Sequence, residues 1–342
     1  MKPKTIRDGV TLSSGSRVLE SGYAAALKQS AFALRLNVKA LYAGVVRNKS
    51  FLLIGVSLFC FLSACTDSGP LLNSANFVLI RGGEFTMGSP EGEVGRWSNE
   101  IQHQVRLSNF SMSRYTVTVA EFRKFVDATE YQTDAEKVGF SVIVDNNEIK
   151  KGEGVNWRHG VSGSVRPQSE ENHPVLHVSW NDAVAYCKWL SAKTGKHFRL
   201  PTEAEREYAC RADTTTPFNT GENLTTNQAN YNGNYPYNNN AKGVYRQNTV
   251  AVNSFAPNAW GLYNMHGNVW EWCSVRYSDT YYDECKAQGT VSNPQGSATG
   301  SARVLRGGGW FNSAEACRSA ARGGYAPDYR NSYVGFRPVF VP

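Results

Sequence analysis

Apolar residues follow several rhythms along this chain, and each predicts a different element. A run of apolar residues, Phe51–Leu62, follows Arg47-Asn-Lys-Ser. Residues 66–76 are small and polar and read as a short tether. Phe77–Met87 then alternates loosely about Gly82-Gly83, which predicts a β-hairpin. Three helices are announced by capping boxes, in which a Ser or Thr cap faces an acidic residue three positions on. Thr118-Val-Ala-Glu121 opens a helix with Phe122, Phe125 and Val126 on one face. Ser179-Trp-Asn-Asp182 opens a second, with Val184, Cys187 and Leu190 inward and Gly195 as its stop. Thr202-Glu-Ala-Glu205 opens a third that runs to about Ala212. Residues 140–172, polar and glycine-containing, read as a long surface insertion. From about residue 213 the helical period gives out, leaving short strands at Val304–Arg306 and Val334–Val341. So much irregular chain in one domain implies metal ions or disulfides in addition to packing. No internal repeat or second linker is visible, which predicts one domain over residues 77–342.

Composition changes this picture at the N-terminus. Residues 1–65 hold nine basic and two acidic side chains, which accounts for the whole formal charge of +7 and leaves 27 of each sign beyond them. A neutral remainder excludes nucleic acid as a partner. The basic flank, the short apolar run and Leu62-Ser63-Ala64 before Cys65 form a secretory signal. Phe51–Leu62 is too short for a spanning helix, which takes about 20 residues. Cysteine directly after Leu-Ser-Ala resembles the lipobox of bacterial lipoproteins, which implies acylation of Cys65 and a lipid anchor in the cell envelope. Thr66 stands where Asp would signal inner-membrane retention, so the expected location is the outer membrane. Residues 1–44 are long for the charged part of a signal, and no methionine occurs between Met1 and Met87. Cys187, Cys210, Cys273, Cys285 and Cys317 follow the signal into an oxidising compartment, where at most two disulfides can join them and their connectivity stays open.

Few residues suggest catalysis. His173-Pro-Val-Leu-His177 has the spacing of a helical metal pair, but its Pro and Val residues favour extended chain, with the rings about 13 Å apart. Glu203, Glu205 and Glu207 read as helix-surface and capping carboxylates. Gly307-Gly308-Gly309 leads into an aromatic loop instead of a phosphate-binding helix, and no Ser-His-Asp grouping stands out. The run from Asn258 to Cys273 is different, because Asn264, Glu271 and turn carbonyls offer the hard oxygen ligands that Ca²⁺ prefers.

At this point the residues resemble the formylglycine-generating enzyme, or sulfatase-modifying factor, family. The stretches are Arg81-Gly-Gly-Glu-Phe-Thr-Met-Gly88, His173-Pro-Val through Ser179-Trp180, Arg199-Leu-Pro-Thr-Glu-Ala-Glu205, Gly261-Leu-Tyr-Asn through Trp270-Glu-Trp272, Arg303-Val-Leu-Arg-Gly-Gly308 and Gly335-Phe-Arg337. They lie in the family's order across residues 77–342. The resemblance implies an α+β, elaborated C-type-lectin-like fold with little regular secondary structure. It also implies a calcium site from Asn264, Glu271 and the carbonyls of Gly267 and Val269. A second family calcium site would fall on Asn230, Tyr231 and residues 242–244, but Lys242 takes the acidic ligand's place and would repel the ion. The family's enzyme binds copper through two cysteines and oxidises a substrate cysteine with O₂, as suits soft thiolate ligands. Here the first cysteine position is Asn312 and the neighbouring serine is Gly309, so copper and this oxidase chemistry are not expected. Cys317 is expected to pair instead, with Cys210 or Cys273.

The loop of residues 309–334 is rich in Tyr, Ser, Gly and Asn, the composition of adaptable binding loops. It lies between the strips Arg303–Gly308 and Gly335–Arg337, as in the variable proteins of diversity-generating retroelements, which it resembles. The expectation is a calcium-supported display domain whose C-terminal face binds a protein or other surface ligand; the alternatives are a maturation enzyme of the formylglycine type working with different residues, and a structural envelope lipoprotein. The contact residues of that face would be Trp270, Trp310, Phe311, Asn312, Tyr325, Tyr329, Asn331 and Tyr333.

Overall fold

The computed structural model describes residues 76–145 and 148–341. The signal, the tether to residue 75 and Cys65 lie outside the described residues. In chain order the strands are β1 (Phe77–Ile80), β2 (Glu84–Met87), β3 (His103–Arg106), β4 (Phe110–Ser113), β5 (Phe140–Asp145), β6 (Glu148–Glu153), β7 (Phe198–Arg199), β8 (Trp270–Arg276), β9 (Val291–Ser292), β10 (Arg303–Arg306), β11 (Arg322–Tyr325), β12 (Val334–Gly335) and β13 (Val339–Phe340). The helices are α1 (Val119–Thr129), α2 (Asp134–Val138), α3 (Trp180–Thr194), α4 (Glu203–Arg211) and α5 (Tyr281–Gln288).

All three expected capping boxes form. Thr118 Oγ1 accepts from the Glu121 amide at 3.1 Å, and Glu121 Oε2 accepts from the Thr118 amide at 2.9 Å. The same reciprocal pair opens α3 and α4, and each such cap is worth about 1 kcal/mol. A fourth box, Thr133 with Glu136, starts α2, a single short turn with no apolar stripe behind it. In α3 the buried stripe is Ala183, Tyr186, Cys187 and Leu190, and Val184 falls at its edge, half-buried. The two long helices meet through aromatic rings. Phe122 stacks on Tyr186 at 6.1 Å, and Trp157 and Phe336 close the cluster edge-on.

One sheet runs β1-β4-β13-β7, a second β11-β10-β8-β12, a third β2-β3-β9, and β5-β6 stands as a ribbon. The expected hairpin over Phe77–Met87 does not form: β1 pairs with β4, β2 pairs with β3, and Gly82-Gly83 carries the chain from one sheet to the other. Gly82 sits so close to the next segment that a Cβ would lie 2.2 Å from the Leu107 carbonyl. Val334–Val341 likewise splits into β12 and β13, which belong to different sheets. Pro338, which has no N–H to give to a ladder, stands at the break. Residues 140–172 are more than a surface insertion. The β5-β6 ribbon aligns Val142 beside Asn331, and Trp157 is fully buried in the core. Beyond residue 213, α5 and the seven-residue β8 add regular structure.

The five cysteines are buried free thiols, so no disulfide joins Cys317 to Cys210 or Cys273. Burial pushes the Cys187 and Cys317 thiols up to about 12, and both stay protonated. Because all five are buried, these cysteines are expected to alkylate only after unfolding, with no reductant needed. A crosslinked cysteine peptide in a non-reducing digest would contradict this arrangement.

Candidate functional site

The C-terminal face is built on the sheet that contains β8, β10, β11 and β12. At the end of β10 the chain turns through Gly307 (φ 103°) and Gly308 (φ 73°), a left-handed path that favours glycine. A Cβ on Gly307 would stand 2.8 Å from Arg206 Nη2, and one on Gly308 2.5 Å from Cys317 Sγ. The loop that follows is fixed from several sides. Trp310 N donates to Asn268 O at 2.9 Å, Asn232 N to Asn312 O at 2.9 Å, and Ser319 N to Pro217 O at 2.7 Å.

Aromatic rings then form a continuous row. Tyr245 stacks on Trp310 at 6.3 Å, Trp310 meets Phe311 at 5.7 Å, and Phe311 meets Tyr333 at 4.6 Å. The hydroxyls of Tyr325 and Tyr329 approach that of Tyr333 at 3.5 and 3.4 Å, and their own rings stack at 4.2 Å. The row is open at its edge only. Tyr325 is 38% exposed and Phe311, Asn312 and Tyr329 are half-buried, whereas Tyr333 is 3% exposed, Trp310 2% and Asn331 0%. Trp310, Asn331 and Tyr333 therefore do not reach a ligand directly. Trp310 Nε1 donates to Ser332 O, and Asn331 Oδ1 accepts from the Tyr333 amide. Tyr245, together with the exposed Tyr235 whose carbonyl accepts from Ala314 N, extends the face on a segment distant in sequence.

Asn312 has a structural task. Its Oδ1 accepts from Trp270 Nε1 at 2.9 Å and from Gly309 N at 3.1 Å, which ties the loop to β8. The indole and the carboxamide thus satisfy one another across the loop.

The expected calcium ligands are not equally free to take an ion. Asn264 suits a cation, since its Oδ1 is buried with no hydrogen-bond partner. Gly267 O, however, accepts from Val269 N at 2.9 Å. Glu271 is fully buried, and each of its oxygens receives two guanidinium donors. Oε2 is 2.8 Å from Arg206 Nε and from Arg337 Nε, and Oε1 is 3.2 and 2.8 Å from their Nη2 atoms. Burial alone would raise this carboxyl, but the two guanidinium groups outweigh it and hold it below the ordinary carboxylate value. At the second position Lys242 is exposed.

The remaining candidates are structural. Glu203 and Glu207 lie inside the protein and not on the helix surface, because α4 is packed among β2, β8 and β10. Glu203 is bidentate to Arg322 at 2.7 and 2.8 Å, Glu207 is shared between Arg211 and Arg306, and Glu205 caps α4 and holds Arg199. Cys210 Sγ stands 3.8 and 3.7 Å from the two ring nitrogens of His266. Both nitrogens are already engaged. Asn219 N donates to Nε2 at 3.0 Å, which makes Nδ1 the donor to Cys317 O at 2.7 Å. His173 and His177 do not meet: His173 contacts Thr249 Oγ1, and His177 contacts Ser141 Oγ and Gly160 O, each at 2.9 Å.

These features define an elaborated C-type-lectin-like α+β domain with an ion-paired interior and an aromatic C-terminal face. The chain belongs to the sulfatase-modifying factor family: residues 65–341 match the Sulfatase-modifying factor enzyme 1-like domain. It is similar to the formylglycine-generating enzyme of Streptomyces coelicolor, with 38% identity over 303 residues that cover 80% of this chain and 93% of that protein. Among solved structures, PvdO from Pseudomonas aeruginosa superposes with a TM-score of 0.60 at 31% identity, over 78% of this chain and 94% of PvdO. Variable protein 1 of Treponema denticola shares the fold, with a TM-score of 0.55 at 23% identity over 78% and 95% of the two chains.

Burial pushes the His177 imidazole down to about 3, against about 6.5 for an unfolded histidine. Between those values the unfolded chain binds the extra proton, so this contribution to stability is complete above about pH 6.5 and is lost as the pH falls toward 3. The expected slope is about 1.4 kcal/mol per pH unit. Urea unfolding at pH 7 and pH 4.5 should show a smaller acid loss in His177→Gln than in the parent chain; equal losses would assign the acid sensitivity elsewhere.

Proposed function

We propose that this chain is a lipid-anchored display protein of its family, held to the cell envelope through Cys65, whose C-terminal face binds a protein or other surface ligand. The observation that carries this reading is the open edge of the aromatic row, Phe311, Tyr325 and Tyr329, presented on a frame that is buried and hydrogen-bonded throughout. Tyrosine offers a large amphipathic contact at low entropic cost, and a rigid support spares a ligand the cost of ordering the loop. The tie from Asn312 to Trp270 and Gly309 supports binding over oxidation, since the position that would hold a copper thiolate in the family's enzyme holds the loop together here.

The same geometry narrows any diversification of the loop to its outward positions: Phe311, Ser313, Glu315, Tyr325, Ala326, Asp328 and Tyr329. A near-copy of the codons for residues 303–337 beside a reverse-transcriptase gene should differ at those positions and spare Trp310, Asn331 and Tyr333.

Photo-crosslinking in the exporting cell is expected to trap a partner from position 325 and none from the exposed control position 149. For the trapped partner, Tyr325→Ala and Tyr329→Ala should each weaken binding about tenfold or more with the fold intact. Tyr333→Ala should instead cost about 3 kcal/mol of stability, as expected for truncating a buried aromatic ring. Unchanged affinity in both outer variants would remove the face from the binding site. The enzymatic alternative, prompted by the similarity to formylglycine-generating enzyme, requires that the copper-loaded chain convert a cysteine peptide to an aldehyde with O₂; that product would overturn the present reading. Cys65→Ser is expected to abolish incorporation of labelled fatty acid and release the protein from the envelope.

A further inference from the structure

The residues around Glu271 hold more positive charge than the carboxylate needs. Arg206, Glu271 and Arg337 are at most 1% exposed. Once each guanidinium has engaged Glu271, its other donors turn to the backbone of the segment that was expected to hold calcium. Arg206 Nη2 reaches Met265 O at 3.0 Å, and Arg337 Nη2 reaches Tyr263 O at 2.8 Å. Arg337 Nη1 continues to the carbonyls of Ser113 and Arg114 at 3.2 and 3.0 Å, at the end of β4. The two carbonyls flank Asn264, which is left-handed at φ 50°. Gly307 is shaped to admit the Arg206 guanidinium, since any side chain there would collide with Nη2.

A bound divalent cation draws a carboxylate and several carbonyls to one point and so fixes a turn that packing alone leaves loose. The guanidinium pair does the same job here, by hydrogen bonds from two sides. The cluster already has an excess of one positive charge, so a divalent ion added beside it would meet two buried like charges at short range. We propose that Arg206 and Arg337 take the place of the calcium ion in this chain: the cation that closes the 263–271 segment is built into the protein, and the domain folds and remains stable without a metal.

The test is thermal unfolding of the full chain in detergent, in excess EGTA and in millimolar CaCl₂, with calcium binding followed by titration calorimetry. The expected result is the same midpoint to within about 1 °C and no binding heat. A midpoint raised by several degrees with calcium would overturn the proposal. Arg206→Met, which leaves Glu271 with one partner and opens the space beside Asn264, is expected to melt lower in EGTA and to recover with CaCl₂ but not with MgCl₂. A variant that melts lower and ignores calcium would show that Arg206 makes an ordinary ion pair and does not occupy a cation's position. Should Arg206→Met fail to fold, the comparison on the parent chain decides the matter by itself.

Discussion

Helix α4 imposes the central constraint on this fold. It carries three glutamates and two arginines in nine residues, and all nine are buried. A buried unpaired charge costs several kcal/mol, so α4 can sit where it does only if the surrounding strands bring the opposite charges. They do: Glu271 comes from β8, Arg306 from β10, Arg322 from β11 and Arg199 from β7. The sheet and the helix are therefore mutually required, and the register of β10 against β8 is fixed by charge as well as by apolar alternation. Ion pairs of this kind contribute little net stability over an apolar core, but the loss of any one partner leaves a buried charge uncompensated.

The parts of this architecture that rest on local chemistry were legible in the sequence. Capping boxes at Thr118, Ser179 and Thr202 are complete within four residues, and each produced its helix. Elements that depend on distant partners were not. Phe77–Met87 looks like a hairpin because alternation and a Gly-Gly turn are local signals, whereas the sheet that each half joins is chosen by β3 and β4. Glu203 and Glu207 look like surface carboxylates because Arg322 and Arg306, which hold them in the interior, lie about a hundred or more positions away. The calcium expectation differs in kind: Asn264 and Glu271 stand where the resemblance puts ligands, and only the positions of Arg206 and Arg337 in space show that the carboxylate is already engaged.

On the C-terminal face, composition located the right segment but did not separate its inner from its outer residues. Trp310, Asn331 and Tyr333 have the same residue types as Phe311, Asn312 and Tyr329, and nothing in their neighbours announces which point inward. Tyr245 escaped notice because stacking on Trp310 is a contact between segments some 65 residues apart.

The β5-β6 ribbon has a further bearing on this face. Val142 N and Ser141 Oγ both donate to Arg330 O, Val144 N donates to Ser332 Oγ, and the far end of the loop is pinned where Ser319 meets Pro217. With both ends anchored to rigid neighbours, the intervening chain has a set span. Evolution can exchange the outward side chains along it freely, but insertions and deletions would tear one anchor or the other. The face is thus open to variation in letter and closed to variation in length, which lets one scaffold explore many surfaces without being rebuilt.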